Sequence, residues 1–245
     1  MTDIFDVLEE EEDRLDGVLT SLDESRWAAE SRCAGWSVRD VVLHLAQTEE
    51  AVLATLGAPL PSLQSDGSST TDDLAEHWVR SQRGRPSAEV HARWNAARRG
   101  AVEQLRAADP DHRLAWAAAP LKPRTLATTR LSEHWIHTLD ITDSLGIEHP
   151  DSDNLHHIAW LAWRTIDYAF QRAGREPPPT VRLELAAPGE DTWTFGTEDA
   201  ECVISGPAGE FCRVAARRLD PVQARDLRAT GPRSDEVLEL VRTYA

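Results

Sequence analysis

The chain has 245 residues and a formal net charge of −16, with the balance of apolar and charged residues that is typical of globular proteins. This negative charge repels phosphate backbones and anionic lipid surfaces, so neither nucleic acid nor membrane is an expected partner. The acidic N-terminus and the lack of a long apolar run predict no secretory signal and no membrane span, which favours a cytoplasmic protein.

Three cysteines are present, Cys33, Cys202 and Cys212, and none belongs to a C-x-x-C pair. An odd number without such pairs argues against a disulfide scaffold and against a thiolate zinc site. We therefore expect reduced thiols.

Helical periodicity dominates the first 174 residues. Ser37 followed by Asp40 has the pattern of a capping box, and it opens a predicted helix that ends at Gly57. The Pro, Ser, Gly and Thr content of 58–71 predicts a loop. Other helices are predicted over about 3–22, from near 72, after Pro86 to about 108, over 125–146 and over about 153–173.

The pattern changes at the proline run 177–179, which predicts a domain boundary. Beyond it, VRLELAA and DTWTFG alternate apolar and polar residues and predict a β-hairpin. ECVISG is a further predicted strand, followed by a helix from Pro207 and by a last strand and helix. The predicted fold is mainly α, with a helical bundle over 1–174 and a small α+β domain over 178–245.

The chemistry is expected at Glu133 and His137, which lie four residues apart on one face of a predicted helix. His44 lies in the middle of another amphipathic helix, and antiparallel helices of a bundle could bring the three groups together. Two imidazoles and one carboxylate leave coordination positions open, as in catalytic metal sites. The alternatives are a solvated Glu–His pair and a core histidine.

The stretch GWSVRDVVLHLA, residues 35–46, resembles the signature of the mycothiol-dependent maleylpyruvate isomerase family, within the DinB-like superfamily. TRLSEHWIHTLDI, residues 129–141, resembles its second motif, and VISGPAGEFCRVAARRL with LRATGP resembles its C-terminal domain. The resemblance is strongest to a metal-binding subgroup. It implies a DinB-like four-helix bundle in which His44, Glu133 and His137 bind a divalent metal, usually zinc.

The resemblance further implies a metal-dependent thiol transferase or isomerase that uses mycothiol. A metal converts a thiol, which is mostly protonated at neutral pH, into the nucleophilic thiolate that attacks a small electrophile. Arg217 and Arg218 both fall where an arginine of this family faces the cleft, and either is expected to bind a carboxylate of an anionic substrate. Capping of a helix C-terminus is their alternative role.

Two rival functions use the same residues. One is a thiol-independent lyase, cyclase or hydrolase that uses metal-bound water or a polarised carbonyl, and the other is a non-catalytic metal-binding module. Near the ligands, His134 is a further candidate ligand and Asp140 a candidate for orienting one. Arg130 could pair with Glu133 or face solvent, and a structural role is favoured over a functional one. The sequence does not indicate an oligomeric state.

Overall fold

The chain folds as an array of helices followed by a small sheet. The computed structural model describes residues 2–57, 70–117 and 119–243, so most of the loop predicted at 58–71 lies outside the described residues. The helices before the sheet are α1 (Ile4–Thr20), α2 (Glu24–Trp27), α3 (Val38–Thr55), α4 (Thr71–Gln82), α5 (Ser87–Ala107), α6 (Pro123–Leu145), α7 (Leu155–Arg164) and α8 (Ile166–Arg172). The remaining elements are β1 (Val181–Ala186), β2 (Thr192–Phe195), β3 (Cys202–Pro207), α9 (Ala208–Ala215), β4 (Arg228–Thr230) and α10 (Ser234–Leu240).

The four long helices α1, α3, α5 and α6 form the bundle, in which α3 packs against α5 and α1 against α6. Its core is apolar and contains Leu15, Val42, Leu45, Trp94 and Ile141, all buried. Burial of such side chains is the main favourable contribution to folding. The bundle thus provides the rigid helices on which the candidate ligands stand.

Local signals in the sequence define the two helices that carry these ligands. The capping box of α3 is confirmed, because Ser37 Oγ accepts from the Asp40 N–H and Asp40 Oδ2 accepts from the Ser37 N–H. Helix α6 starts at Pro123, where the missing N–H costs nothing, and stops at Gly146 in the left-handed conformation. The predicted starts and ends of these helices are therefore close to those observed.

Helix α6 is buried on almost all sides, yet many of the buried side chains are polar. They include Thr128, Arg130, Ser132, His134, His137, Thr138, Asp140 and Thr142. Buried polar groups are costly unless they are hydrogen-bonded or bind a ligand. Their concentration on α6 indicates that this helix carries a functional site.

The C-terminal sheet has the strand order β2-β1-β3-β4. The predicted hairpin is confirmed, with Leu183 opposite Phe195 in antiparallel register, and β1 also pairs in parallel with β3. Helix α9 covers β1 and β3. Gly206 has a φ of 134°, and a Cβ there would lie 2.5 Å from the Asp226 carbonyl oxygen, so only glycine allows this close approach.

The chain divides into two compact units, one ending at His149 and the other beginning at Pro150. Helices α7 and α8, which the sequence assigns to the bundle, pack within the second unit. The domain ranges 1–174 and 178–245 stay a prediction about which parts fold independently. The predicted fold class is confirmed, since a mainly helical region precedes a small mixed sheet with helices. No helix among the described residues is both long and apolar enough to cross a bilayer.

Candidate metal centre

The three predicted ligands meet between α3 and α6. Glu133 Oε2 lies 3.8 Å from His44 Nε2 and 3.6 Å from His137 Nε2. The two imidazole rings meet edge to face, with centroids 5.0 Å apart. His44 and His137 are buried and Glu133 is partly buried. One nitrogen of each histidine and one carboxylate oxygen therefore face a common point.

This donor set fits a divalent metal. Two ligand atoms of one tetrahedral zinc ion are about 3.4 Å apart, given bonds of about 2.0–2.2 Å. The observed separations of 3.6 and 3.8 Å need only small side-chain movements to reach that value. Imidazole nitrogen and carboxylate oxygen are ordinary zinc ligands, and three of them leave one position for water or substrate.

Two of the three groups have the protonation state that a metal ligand needs. Burial would raise the pKa of Glu133, but hydrogen bonds from His137 and His44 and the charge of Arg130 lower that pKa well below its usual value. Burial lowers the pKa of His44, which favours its neutral form. Burial also acts to lower the pKa of His137, yet its contacts with Asp140, Cys33 and Glu133 raise it well above normal. The carboxylate and one imidazole are thus ready to bind a metal, whereas His137 must first lose a proton.

Asp140 and Cys33 lie on the other side of the His137 ring. Asp140 is fully buried, and its Oδ2 lies 3.0 Å from His137 Nδ1. The thiol of Cys33 donates to the same oxygen at 3.1 Å. The orienting role considered for Asp140 therefore has a geometric basis, whereas no feature of the sequence pointed to Cys33, which lies in the loop before α3.

His134 faces away from the three predicted ligands. Its Nε2 accepts a hydrogen bond from Trp94 Nε1 at 3.1 Å, and its Nδ1 lies 3.0 Å from the Arg130 carbonyl oxygen. The ring lies between two buried acids instead, with Nε2 3.7 Å from Glu12 Oε1 and Nδ1 3.7 Å from Glu49 Oε1. Since both ring nitrogens are engaged, the geometry does not favour His134 as a ligand.

Arg130 has a structural role, as favoured from the sequence, but its partner is neither of the two that were considered. Its side chain is buried, and its Nε donates to Glu49 Oε1 at 2.7 Å, so it neither faces solvent nor forms an ion pair with Glu133. Thr48 accepts a second hydrogen bond from the guanidinium. Arg130 therefore links α6 to α3, because its side chain points across the bundle core.

Arg217 and Arg218 belong to the second compact unit. The Arg217 guanidinium donates to the carbonyl oxygens of Glu239, at 2.6 Å, and Leu240, at 3.0 Å, which end α10. Arg218 donates to the Ala216 carbonyl oxygen, just after α9, at 3.0 Å. These contacts are those of helix-capping groups. A role of either arginine in binding a substrate stays a prediction.

Comparison with known proteins places these features in a family. The family described as "Mycothiol maleylpyruvate isomerase N-terminal domain" matches residues 8–142, which include all three predicted ligands. Two proteins from strains of Mycobacterium tuberculosis, both named as uncharacterized, are 30% identical to the chain over 241 residues. The alignment covers 97% of this chain and 93% of each relative.

Solved structures agree with the fold. A crystal structure of the mycothiol-dependent maleylpyruvate isomerase superposes with a TM-score of 0.64 at 15% identity, covering 95% of this chain and 99% of that one. A histidine-to-alanine mutant of that enzyme gives the same TM-score at 14% identity. At such low identity the likeness establishes a shared fold.

Proposed function

Because the chain belongs to the mycothiol maleylpyruvate isomerase N-terminal domain family, we propose that it is a metal-dependent thiol transferase or isomerase. His44, Glu133 and His137 would hold the ion, zinc being the best match to two imidazoles and a carboxylate. The observation that carries this proposal is the convergence of these three side chains on one point. When bound, the metal supplies positive charge that favours the thiolate over the thiol.

The protein's own residues prepare this centre. Two neutral imidazoles and one carboxylate offset only one of the two charges of the ion, so an anionic sulfur ligand remains favourable. Glu133 is kept ionised by its neighbours, as its lowered pKa indicates. The Trp36 ring lies 5.2 Å from the His44 ring, and its Nε1 is held by Glu76 Oε2 at 2.6 Å. This aromatic side chain shields one side of His44 from water.

Mycothiol is the proposed thiol because it appears in the name of the family and of the structurally similar enzyme. The sulfur would form a bond to an electrophilic carbon of a small molecule. In a transfer this bond is kept, and the substrate takes up a proton or loses a leaving group. In an isomerisation, rotation about a carbon–carbon bond is followed by cleavage of the sulfur–carbon bond, which releases the thiol and the isomerised product. The proposed electrophile is a small anionic molecule. The proposed location of the protein is the cytoplasm. A net charge of −16 disfavours nucleic acid and membrane as partners.

Calorimetric titration of mycothiol into the zinc-loaded protein tests the thiol directly. We expect saturable binding to the zinc-loaded wild type and none to His137→Ala, which lacks one ligand. In the contrary outcome, the protein binds zinc while added mycothiol neither releases heat nor competes for the metal. That result would favour a thiol-independent metalloenzyme. A zinc ion without an exchangeable water, as judged by the absorption of the cobalt-substituted protein, would favour a non-catalytic module.

A further inference from the structure

The two nitrogens of His137 face different partners. Nε2 lies 3.6 Å from Glu133 Oε2, on the side of the proposed metal, and Nδ1 lies 3.0 Å from Asp140 Oδ2. An ionised carboxylate accepts hydrogen bonds and donates none, so the bond to Asp140 requires a proton on Nδ1. The neutral form of His137 that satisfies Asp140 therefore has its lone pair on Nε2, where a metal would need it.

Cys33 contacts the same carboxylate oxygen, beside His137. Its Sγ donates to Asp140 Oδ2 at 3.1 Å and lies 3.7 Å from His137 Nδ1. The neighbouring backbone N–H, that of Arg32, donates to the Asp140 carbonyl oxygen at 3.0 Å. Two hydrogen bonds thus fasten the segment before α3 to Asp140 on α6.

The segment before α3 also carries Trp36, which contacts the other candidate histidine ligand, His44. Trp36 closes the turn, with its N–H donating to the Cys33 carbonyl oxygen at 3.0 Å, and its ring packs against His44. Unlike His137, His44 has no hydrogen-bond partner for its Nδ1 within the described part of the chain. Packing therefore holds His44 in place, whereas a hydrogen bond orients His137.

We propose that Asp140 is a positioning residue that fixes the tautomer and ring orientation of His137, and that the Cys33 thiol in turn holds the Asp140 carboxylate. This inference rests on the proposed metal centre at His44, Glu133 and His137. Partners that orient a metal-bound histidine typically contribute about 10-fold to 100-fold to metal affinity.

A different role for the same groups is a second metal site on the Nδ1 side, since Cys33, His137 and Asp140 also offer three ligand atoms close together. Such an ion would displace the proton from Nδ1 and from the thiol, and both existing hydrogen bonds would be lost. The hydrogen-bonded arrangement already satisfies all three groups, so it is the one that the distances of 3.0 and 3.1 Å favour.

The test compares Asp140→Asn with Asp143→Asn in zinc affinity, measured by competition with a chromophoric chelator. Asp143 is on the same helix but exposed, and its Oδ2 lies 3.5 Å from Arg32 Nη1. We expect about 10-fold to 100-fold weaker binding for Asp140→Asn, because an amide is a weaker acceptor and can present an N–H to Nδ1. The Asp143→Asn variant should bind as the wild type does.

Melting temperatures separate positioning from a merely structural role. A positioning role predicts that Asp140→Asn reduces the rise in melting temperature caused by zinc and alters the absorption spectrum of the cobalt-substituted protein. A structural role would lower the melting temperature equally with and without zinc and leave affinity and spectrum unchanged. Equal zinc affinity in Asp140→Asn and the wild type would overturn the inference.

Cys33 provides a second pair of variants. Should Asp140→Asn fail to fold, these variants test whether the hydrogen bond from the thiol to Asp140 contributes to zinc affinity. Cys33→Ala should weaken zinc binding about twofold to tenfold, the range of one hydrogen bond, and Cys33→Ser should restore it. Unchanged affinity in Cys33→Ala would refute the role of the thiol. Two zinc ions per wild-type chain, falling to one in Cys33→Ala, would establish the second metal site instead. A wild type that binds no zinc would refute the proposed centre itself.

Discussion

At the residue scale, the proton on His137 sets how the centre responds to pH. Although burial lowers its pKa, hydrogen bonds with Asp140, Cys33 and Glu133 raise that pKa well above the ordinary value of 6.5. The metal-free protein therefore keeps the proton at neutral pH, and a metal must displace it. Burial lowers the pKa of His44, so that group adds no competing proton there.

Zinc affinity should consequently rise with pH through the neutral range. Below the raised pKa of His137, each unit of pH should change the apparent affinity by up to about tenfold, and above that pKa the affinity should level off. Chelator competition in a series of buffers from about pH 6 to about pH 8 measures this slope. An affinity independent of pH would mean that His137 binds no proton in the metal-free protein.

Glu12 poses a separate electrostatic problem in the bundle core. It is fully buried, and neither carboxylate oxygen has a hydrogen-bond partner within the described ranges. Arg98 Nη1 lies 3.6 Å from Glu12 Oε2, and His134 Nε2 lies 3.7 Å from Glu12 Oε1. Burial and the nearby Glu49 raise the pKa of Glu12 well above normal, more than Arg98 and Arg130 lower it. Glu12 thus holds a proton in the folded chain at pH values where the unfolded chain has lost it.

Replacing Glu12 with Gln should stabilise the protein increasingly as pH rises. A raised pKa in the folded state gives the wild type a contribution to stability that is complete below the unfolded value of 4.5 and is lost as pH rises toward the folded pKa. Glutamine does not titrate, so its contribution does not depend on pH. Between the unfolded and folded pKa values of Glu12, the unfolding free energy of the variant should therefore gain on that of the wild type by up to about 1.4 kcal/mol per pH unit. Urea denaturation at several pH values measures it, with Glu10→Gln, exposed on the same helix, as the control. Parallel stability curves for Glu12→Gln and the wild type would contradict this account.

At the element scale, helix α3 depends on its capping box. Ser37→Ala removes the acceptor for the Asp40 N–H and should lower the free energy of unfolding by about 1 kcal/mol. Thermal or urea denaturation checks this value. Ser81→Ala, on the exposed surface of α4, should change stability by less than about 0.5 kcal/mol. If both variants matched the wild type, the cap would not contribute to the stability of α3.

Local patterns in the sequence predicted much at this scale. The cap at Ser37, the stop at Gly146 and the hairpin of β1 and β2 are each encoded within a few neighbouring residues. Contacts between distant elements were not predictable in this way. Cys33 and Asp140 are 107 positions apart, and the partner of Arg130 depends on how α6 is rotated against α3. Spacing and resemblance identified the three predicted ligands, but only the fold shows which groups orient them.

At the scale of the whole molecule, all three predicted ligands lie in the unit that ends at His149. A conservative substitution in the core of the other unit should therefore lower the free energy of unfolding without changing zinc affinity. Ile204→Val, at a fully buried position of β3, should cost about 1 kcal/mol in unfolding free energy. Its zinc affinity should equal that of the wild type, as measured by chelator competition. A large loss of affinity would show that the second unit contributes to the centre.

The central claim is that one metal ion binds where His44, Glu133 and His137 converge. Calorimetric titration of zinc into chelator-stripped protein tests it most directly, with His44→Ala, Glu133→Gln and His137→Ala measured alongside. The account predicts one ion per wild-type chain, a raised melting temperature on binding, and loss of both in each variant. A wild type that shows neither heat nor a shift in melting temperature, or variants that bind zinc as tightly as the wild type, would contradict it.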